Sequence, residues 1–328
     1  MKKTVFKFFA VVALSITLSL YALNSLEVMA SAKDERPLNY LVIGLDDAAG
    51  NADIIILIST LPGTNELSFL QIPRDTYYSY GGGQNKINGV FASYRNSGMS
   101  EREALTAFSS DIENVFGIDI TASFAVTLRA FRDFVTHIGG VRIDMPYEYS
   151  FTDEHGEGGF TLNEGENMLD GDMAETFIRY RRSYLLGDLS RMNAQKIFLK
   201  GMIKTVTSLR FAKLAKAVFA IRGNLYTNCK ITDVSKLLVK KPGRNDELAC
   251  RFITLPGEAV ISSGGGSYFS ANRKNSCEVL LRYFGSTEFD VDGLLLNSGE
   301  PAFYNVYFDE SASYFEYNGN NLDSIKLR

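Results

Sequence analysis

Reactive side chains are scarce in this chain of 328 residues. There are two histidines, His137 and His155, too few for a Ser-His-Asp arrangement to build on. His137 falls just before Gly139 at a helix end, where it suits the helix dipole. Cys229, Cys250 and Cys277 are widely spaced with no histidine nearby, which excludes a zinc site. Three thiols leave one unpaired, so they read as small buried residues, with one disulfide left open. Seven prolines and no low-complexity tract exclude long disorder. No Walker A motif is present, and Gly81-Gly82-Gly83 lacks the strand-to-helix setting of a dinucleotide loop. The balance of 34 basic against 38 acidic residues excludes a polyanion bound along the surface, so no nucleic acid is expected. Any anion site must be local.

The N-terminus does carry a signal. Lys2, Lys3 and Lys7 precede a run without charge from Phe8 to Leu26. Such a run is long enough to cross a bilayer once with the basic flank in the cytoplasm. Small residues before Ser31 and Lys33 offer export cleavage sites instead. Either way, residues 33–328 are expected outside the cytoplasm, on a single-pass membrane protein or a secreted one.

Beyond this segment, strands and helices interleave. Residues 39–46, 52–60 and 66–72 read as buried strands, the last two joined by a Pro-Gly-Thr-Asn turn into a hairpin. Ser100 and Glu103 open a helix as a capping box, and Gly117 closes it. Helical spacing continues at 128–140, 189–207 and 210–222, with strands at 141–146 and within 250–257. The expected class is α/β, a mixed central sheet flanked by helices. The divisions are 1–32 as signal or anchor, 33–285 as the catalytic domain, and 286–328 as a C-terminal extension.

Two groups of residues carry the chemistry. If strand 39–46 also runs antiparallel to 52–60, then Asp46, Asp53 and Arg74 meet at one sheet end. The second group is the stretch 177–196, with Arg179, Arg181, Arg182, Arg191 and Lys196 against the single acid Asp188. Read as extended, 177–181 puts Arg179 and Arg181 on one side. Asp188, Arg191 and Gln195 then share a helix face, with Asp188 as N-cap. Arg182 points away and Lys196 is peripheral. Three arginines suit a diphosphate, and two carboxylates suit the Mg²⁺ that accompanies one. Phosphoryl transfer is mostly positioning and charge stabilisation, so the lack of histidine is no obstacle.

These segments, from Asn39–Asp46 through Ile72-Pro73-Arg74-Asp75, Lys86-Ile87-Asn88 and Gly139–Pro146 to residues 161–199, resemble the LytR-CpsA-Psr family of cell-envelope proteins. The resemblance implies transfer of a polyprenyl-pyrophosphate-linked glycopolymer, such as teichoic acid or capsular polysaccharide, to a peptidoglycan acceptor with Mg²⁺ (or Mn²⁺). It assigns the metal to Asp46 and Asp53. It assigns the chemical step to Arg74, Asp188 and Arg191, and substrate binding to Lys86, Arg179, Arg181 and Gln195. Asn51-Ala52 stands where the family commonly has Arg-Ser. The family's apolar lipid groove lies between sheet and helices, lined here by 100–116 and 189–221. A non-catalytic lipid-pyrophosphate binder and a pyrophosphatase share the same site chemistry.

Overall fold

The computed structural model describes residues 36–46, 50–61, 66–79, 85–152, 159–180, 188–229, 249–262, 265–287, 304–305 and 316–318. Its first strands are the three apolar runs: β1 (Leu38–Leu45), β2 (Ala52–Thr60) and β3 (Glu66–Ile72). β1 and β2 pair antiparallel, as do β2 and β3. Two short strands, β4 (Tyr77–Tyr78) and β5 (Asn85–Lys86), pair just beyond β3. Two helices follow, α1 (Val90–Asn96) and α2 (Glu101–Phe116). The Ser100–Glu103 capping box forms in full, and Gly117 closes α2 in the left-handed conformation at φ 58°.

β6 (Ile120–Thr127) returns alongside β1, parallel to it. Thr127 then caps α3 (Leu128–Ile138) through its side chain. A peripheral layer comprises β7 (Val141–Met145), β8 (Tyr149–Thr152), β9 (Gly159–Leu162) and β10 (Gly165–Leu169), paired β7–β10 and β8–β9. Three helices succeed it: α4 (Gly171–Arg179), α5 (Asp188–Ser208) and α6 (Phe211–Ala220). The chain then enters β11 (Leu225–Thr227), β12 (Ala249–Thr254), β13 (Gly257–Ile261), β14 (Ser267–Ala271) and α7 (Arg273–Phe284). Two late strands are β15 (Tyr304–Asn305) and β16 (Glu316–Asn318).

The central sheet has the order β11-β6-β1-β2-β3-β12-β16. β1, β3, β6 and β12 all point the same way, so the sheet is mixed and the expected class holds. Alternation along the strands splits its faces. Leu41, Ile43, Ile55, Leu57 and Leu70 pack with Leu105, Phe108 and Ile112 of α2 and Leu280 of α7. Tyr40, Ile56, Ile58, Leu67 and Phe69 pack with Leu199 and Ile203 of α5. Helices α2 and α5 therefore lie on opposite faces. This corrects the expectation that 100–116 and 189–221 line one groove: a single space between sheet and helices cannot take both.

Among the described residues, no helix is long and apolar enough to cross a membrane. The N-terminal segment and the Pro62–Asn65 turn lie outside the described residues. The three cysteines are free thiols, Cys229 buried and the other two half-buried.

Candidate functional site

The hairpin register brings the first group together. Ile55 stands opposite Ile72, so two residues further along each strand Asp53 meets Arg74. Arg74 Nη1 donates to Asp53 Oδ1 at 2.8 Å, with the two side chains 19% and 31% exposed. Such a pair is partly desolvated yet open to a ligand. On the other side of β2, Leu45 pairs with Ala52, which brings Asp46 to the same edge. Asp46 Oδ1 accepts from the Asn51 amide at 3.0 Å, and its own amide donates to the Asn51 carbonyl. The short loop 46–51 is thereby tied off, with the carboxylate at its neck.

Lys86 joins through a residue the sequence reading passed over. Its Nζ lies 3.0 Å from Asp75 Oδ1, and Arg74 Nε lies 4.0 Å from Asp75 Oδ2. Asp75 thus holds both cations. The Asp75 carbonyl accepts from the Phe269 amide at 2.9 Å, which fixes this corner to β14. The pairing of Tyr77 with Lys86 sets the lysine in place.

The second group needs a correction. Arg179 is the last residue of α4, not part of an extended segment. Asp170 caps that helix by accepting from the Met173 amide, and Ala174, Phe177 and Ile178 bury its inner face. The helical period thus overrides the two-residue alternation read from 177–181, and only Tyr180 is extended, at φ −61° and ψ 138°. The exposed Arg179 Nη1 donates to Glu175 Oε1 at 2.8 Å, one turn back on the same helix. Arg181 and Arg182 lie outside the described residues, so their sides are not assigned.

α5 begins at Asp188 as its first residue, which puts the cap position at 187, outside the described residues, and leaves the expected Asp188 cap unassigned. Arg191 and Gln195, one turn apart, are both 4% exposed. Gln195 is a strut: its Nε2 donates to the Ile178 carbonyl at 3.0 Å, and its Oε1 accepts from Gln71 Nε2 of β3. Leu199 and Ile203 pack further back over Phe69 and Leu67. Successive turns of α5, at about 5.4 Å each, therefore track two-residue steps along β3, at about 6.6 Å each. Arg191 lies one turn N-terminal to Gln195 on α5. Arg74, Asp53 and Asp46 share the carboxyl edge of the parallel strands, where open α/β sheets bind ligands.

Lys196 also departs from expectation. It is 2% exposed, not peripheral, and its Nζ donates to Thr254 Oγ1 at 2.6 Å. Thr254 is the register partner of Gln71. Burial pushes the Lys196 amine down to about 7. The sequence offered one clue to this layer. Gln71 and Thr254 are polar residues on strands otherwise buried on that face, and such positions seldom serve packing alone.

The donor set at the edge fits a hard divalent cation. Asp46 and Asp53 give two carboxylates, one of them open enough to be reached. Among the described residues no three histidine, cysteine or acidic groups converge. The rest of a Mg²⁺ shell would then fall to phosphate oxygens and water, the usual pattern for this ion. A cleft among the described residues lies elsewhere. About 830 Å³ opens between the β7–β10 ribbon and the outer side of α5, beside Arg142, Asp144, Glu166, Lys200 and Lys204.

With fold and edge in view, comparison with known proteins places the chain. Residues 13–282 match the LytR_cpsA_psr family model, and the chain belongs to that family. One relative, TagU of Oceanobacillus iheyensis, is described as a polyisoprenyl-teichoic acid–peptidoglycan teichoic acid transferase. It is 26% identical over 71% of this chain and 72% of its own length. TagV of Bacillus subtilis, described in the same words, is 28% identical over 61% of this chain. The match spans only 51% of that relative. Among solved structures, B. subtilis TagV superposes with a TM-score of 0.59 at 22% identity, covering 78% of this chain and all of that one. A structure described as TagT bound to LI-WTA gives 0.55 at 20% identity, over 77% and 92%. Both share the fold.

Proposed function

We propose that this chain is a Mg²⁺-dependent phosphotransferase that moves an anionic glycopolymer from a polyprenyl-pyrophosphate carrier to peptidoglycan. The observation that carries the reading is the half-open Asp53–Arg74 pair with Asp46 beside it at the carboxyl edge of the sheet. Family membership and relatives described as teichoic acid transferases support the same chemistry.

The diphosphate lies across the edge with its oxygens on Arg74 and Arg191, in the bidentate manner of guanidinium groups. Asp188 begins the helix whose free N–H groups face the same anion. A divalent cation held by Asp46 and Asp53 would neutralise phosphate charge. Binding draws Arg74 from Asp53 toward phosphate and frees the carboxylate. Lys86, steadied by Asp75, and Arg179, at the end of α4, extend positive charge along the entry to the edge. Gln195 holds the first turns of α5 against β3 and α4, so Arg191 keeps its position as charge builds on the bridging oxygen. An acceptor oxygen forms the new bond to phosphorus, the bridging P–O bond breaks, and polyprenyl monophosphate leaves. The N-terminal apolar segment keeps the chain at the membrane beside its lipid substrate.

The test uses the full chain in detergent with a lipid-pyrophosphate-linked teichoic acid precursor, MgCl₂ and purified peptidoglycan. Transfer of labelled polymer to sedimentable peptidoglycan is expected. Asp53→Asn and Arg191→Ala should each lower it by roughly 10²–10³-fold. Asp53→Asn should spare most lipid binding, because the arginines remain. Absence of transfer, or variants as active as the parent, would reject the reading.

A further inference from the structure

The hairpin of β13 and β14 is fastened beside the sheet edge through its backbone. The Phe269 amide donates to the Asp75 carbonyl at 2.9 Å, and Thr76 pairs with Phe269 as a parallel bridge. Alternation along β14 sends Phe269 into the core with Ile72 and Leu255, and Tyr268 to the other face. There Tyr268 packs in a small cluster with Tyr77 and Val260, away from the main core, and its ring stays half-buried. Tyr77 meets it edge-on, with ring centres 5.7 Å apart. Gly266 at the hairpin turn leaves space for the ring, since a Cβ there would fall 2.8 Å from Tyr268 Cε2. The Lys86 ammonium stands 5.6 Å from the ring centre and 3.0 Å from Asp75 Oδ1. Arg74 Nε is 4.0 Å from the other oxygen of that carboxylate. A contiguous row of side chains therefore runs from Asp53 and Arg74 through Asp75 and Lys86 to Tyr268.

We propose that Tyr268, Lys86 and Asp75 form a carbohydrate subsite that holds a pyranose ring beside the diphosphate. The inference rests on the diphosphate reading given above. A pyranose presents a face of C–H groups and a rim of hydroxyls. The C–H face suits the negative face of an aromatic ring. The hydroxyls suit an acid and an amine held side by side, the carboxylate accepting and the ammonium donating, each in a charge-assisted hydrogen bond. Both groups have capacity beyond their mutual contact, because a carboxylate offers several lone pairs and an ammonium three donors. All three side chains are partly open: Lys86 is 36% and Asp75 27% exposed, and Tyr268 is half-buried. The spacing also fits a ligand. Arg222 and Arg251 stand 4.0 and 4.3 Å from the rings they cover, closer than Lys86 stands to Tyr268. The looser contact lets the amine and the ring each meet a different atom of one sugar. Because the row begins at Arg74, a sugar held on it is next to phosphate. That sugar comes from one of two sources with the same chemistry, the residue joined to the diphosphate or the glycan strand of the acceptor.

The test is calorimetry on the full chain in detergent with MgCl₂ and three probes: farnesyl diphosphate, farnesyl-diphospho-N-acetylglucosamine, and chitotetraose added after farnesyl diphosphate. If the donor supplies the sugar, the sugar-bearing lipid is expected to bind about two- to tenfold tighter than farnesyl diphosphate. If the acceptor supplies it, chitotetraose is expected to bind saturably instead. In either case Tyr268→Ala should remove the sugar-dependent part, Tyr268→Phe should keep it, and both should bind farnesyl diphosphate as the parent does. No gain from sugar with either probe, or a gain that survives Tyr268→Ala, overturns the subsite and leaves the diphosphate site standing. Failure of farnesyl diphosphate to bind the parent rejects the diphosphate reading, and this inference with it. A second measurement needs no variant to fold: in NMR on the parent chain, saturation of aromatic protons should transfer to the ring protons of the bound sugar. Absence of that transfer overturns the proposal.

Discussion

Lys196 shows how burial changes the meaning of a residue. Counted along the chain it is one more basic side chain in a basic stretch. Packed between α5 and β12, it is a neutral or costly charge, depending on pH. Its native pKa is below the ordinary lysine value, so between about 7 and about 10.5 the unfolded chain binds more protons than the folded one. Stability is therefore expected to rise with pH through that window, with the penalty fully present below it. Lys196→Met removes the buried amine at similar volume. We expect the variant to melt higher than the parent at pH 6, with the gap narrowing by pH 9, as measured by thermal unfolding. A gap independent of pH would contradict the account. Nothing local in the sequence marks this lysine, because its burial depends on contact with Thr254, 58 positions away. Asp75 is similar. It sits beside Arg74 in the chain, yet its use as a bridge to Lys86 appears only once β4 and β5 pair. By contrast, Asp53 and Arg74 were legible, since a hairpin register is simple counting once the turn is placed.

At the scale of elements, two helices were readable from explicit ends: Ser100 accepts a hydrogen bond from its helix, and Gly117 and Gly139 close theirs at positive φ. Thr127 and Asp170 cap their helices too, but neither cap was read from the sequence, and the helix that Asp170 opens was missed. The stretch 177–181 was misread because two arginines spaced by two look like strand alternation. The buried stripe Ala174, Phe177 and Ile178 at helical spacing decides otherwise. The correction separates the arginines by burial: Arg179 is a rim residue paired with Glu175, and Arg191 is in the interior. Charges at a rim contribute little compared with desolvated ones. Arg179→Ala should then lower transfer only several-fold, far less than Arg191→Ala, when the two are compared under the same assay. Equal losses would refute the ranking. The seat of α5 also depends on Gly201. A Cβ there would fall 2.3 Å from the Arg142 carbonyl oxygen of β7. Alanine gains about 1 kcal/mol in helix propensity, but a backbone overlap of this kind costs about 1–3 kcal/mol or more. Gly201→Ala is expected to be destabilising in urea unfolding, and a stabilised variant would contradict the packing described.

At the scale of the whole molecule, a net charge of −4 leaves any anion site to be built locally. Near the sheet edge Arg74 follows β3 and Lys86 ends β5, both held by Asp75, while most of the 34 basic side chains are elsewhere. The class of fold was evident from interleaved strands and helices. The placement of α2 and α5 on opposite faces was not, since each helix shows an apolar stripe without saying which face of the sheet receives it. The central claim is that this edge breaks a lipid diphosphate only to pass the polymer on. It is tested most directly by following polyprenyl monophosphate and peptidoglycan-bound polymer together in one reaction of the full chain with MgCl₂. The account predicts that the two products appear in equal amounts, that both require the acceptor, and that both disappear in Asp53→Asn. Intact lipid diphosphate after long incubation with acceptor, or monophosphate released at the same rate without it, would contradict the account.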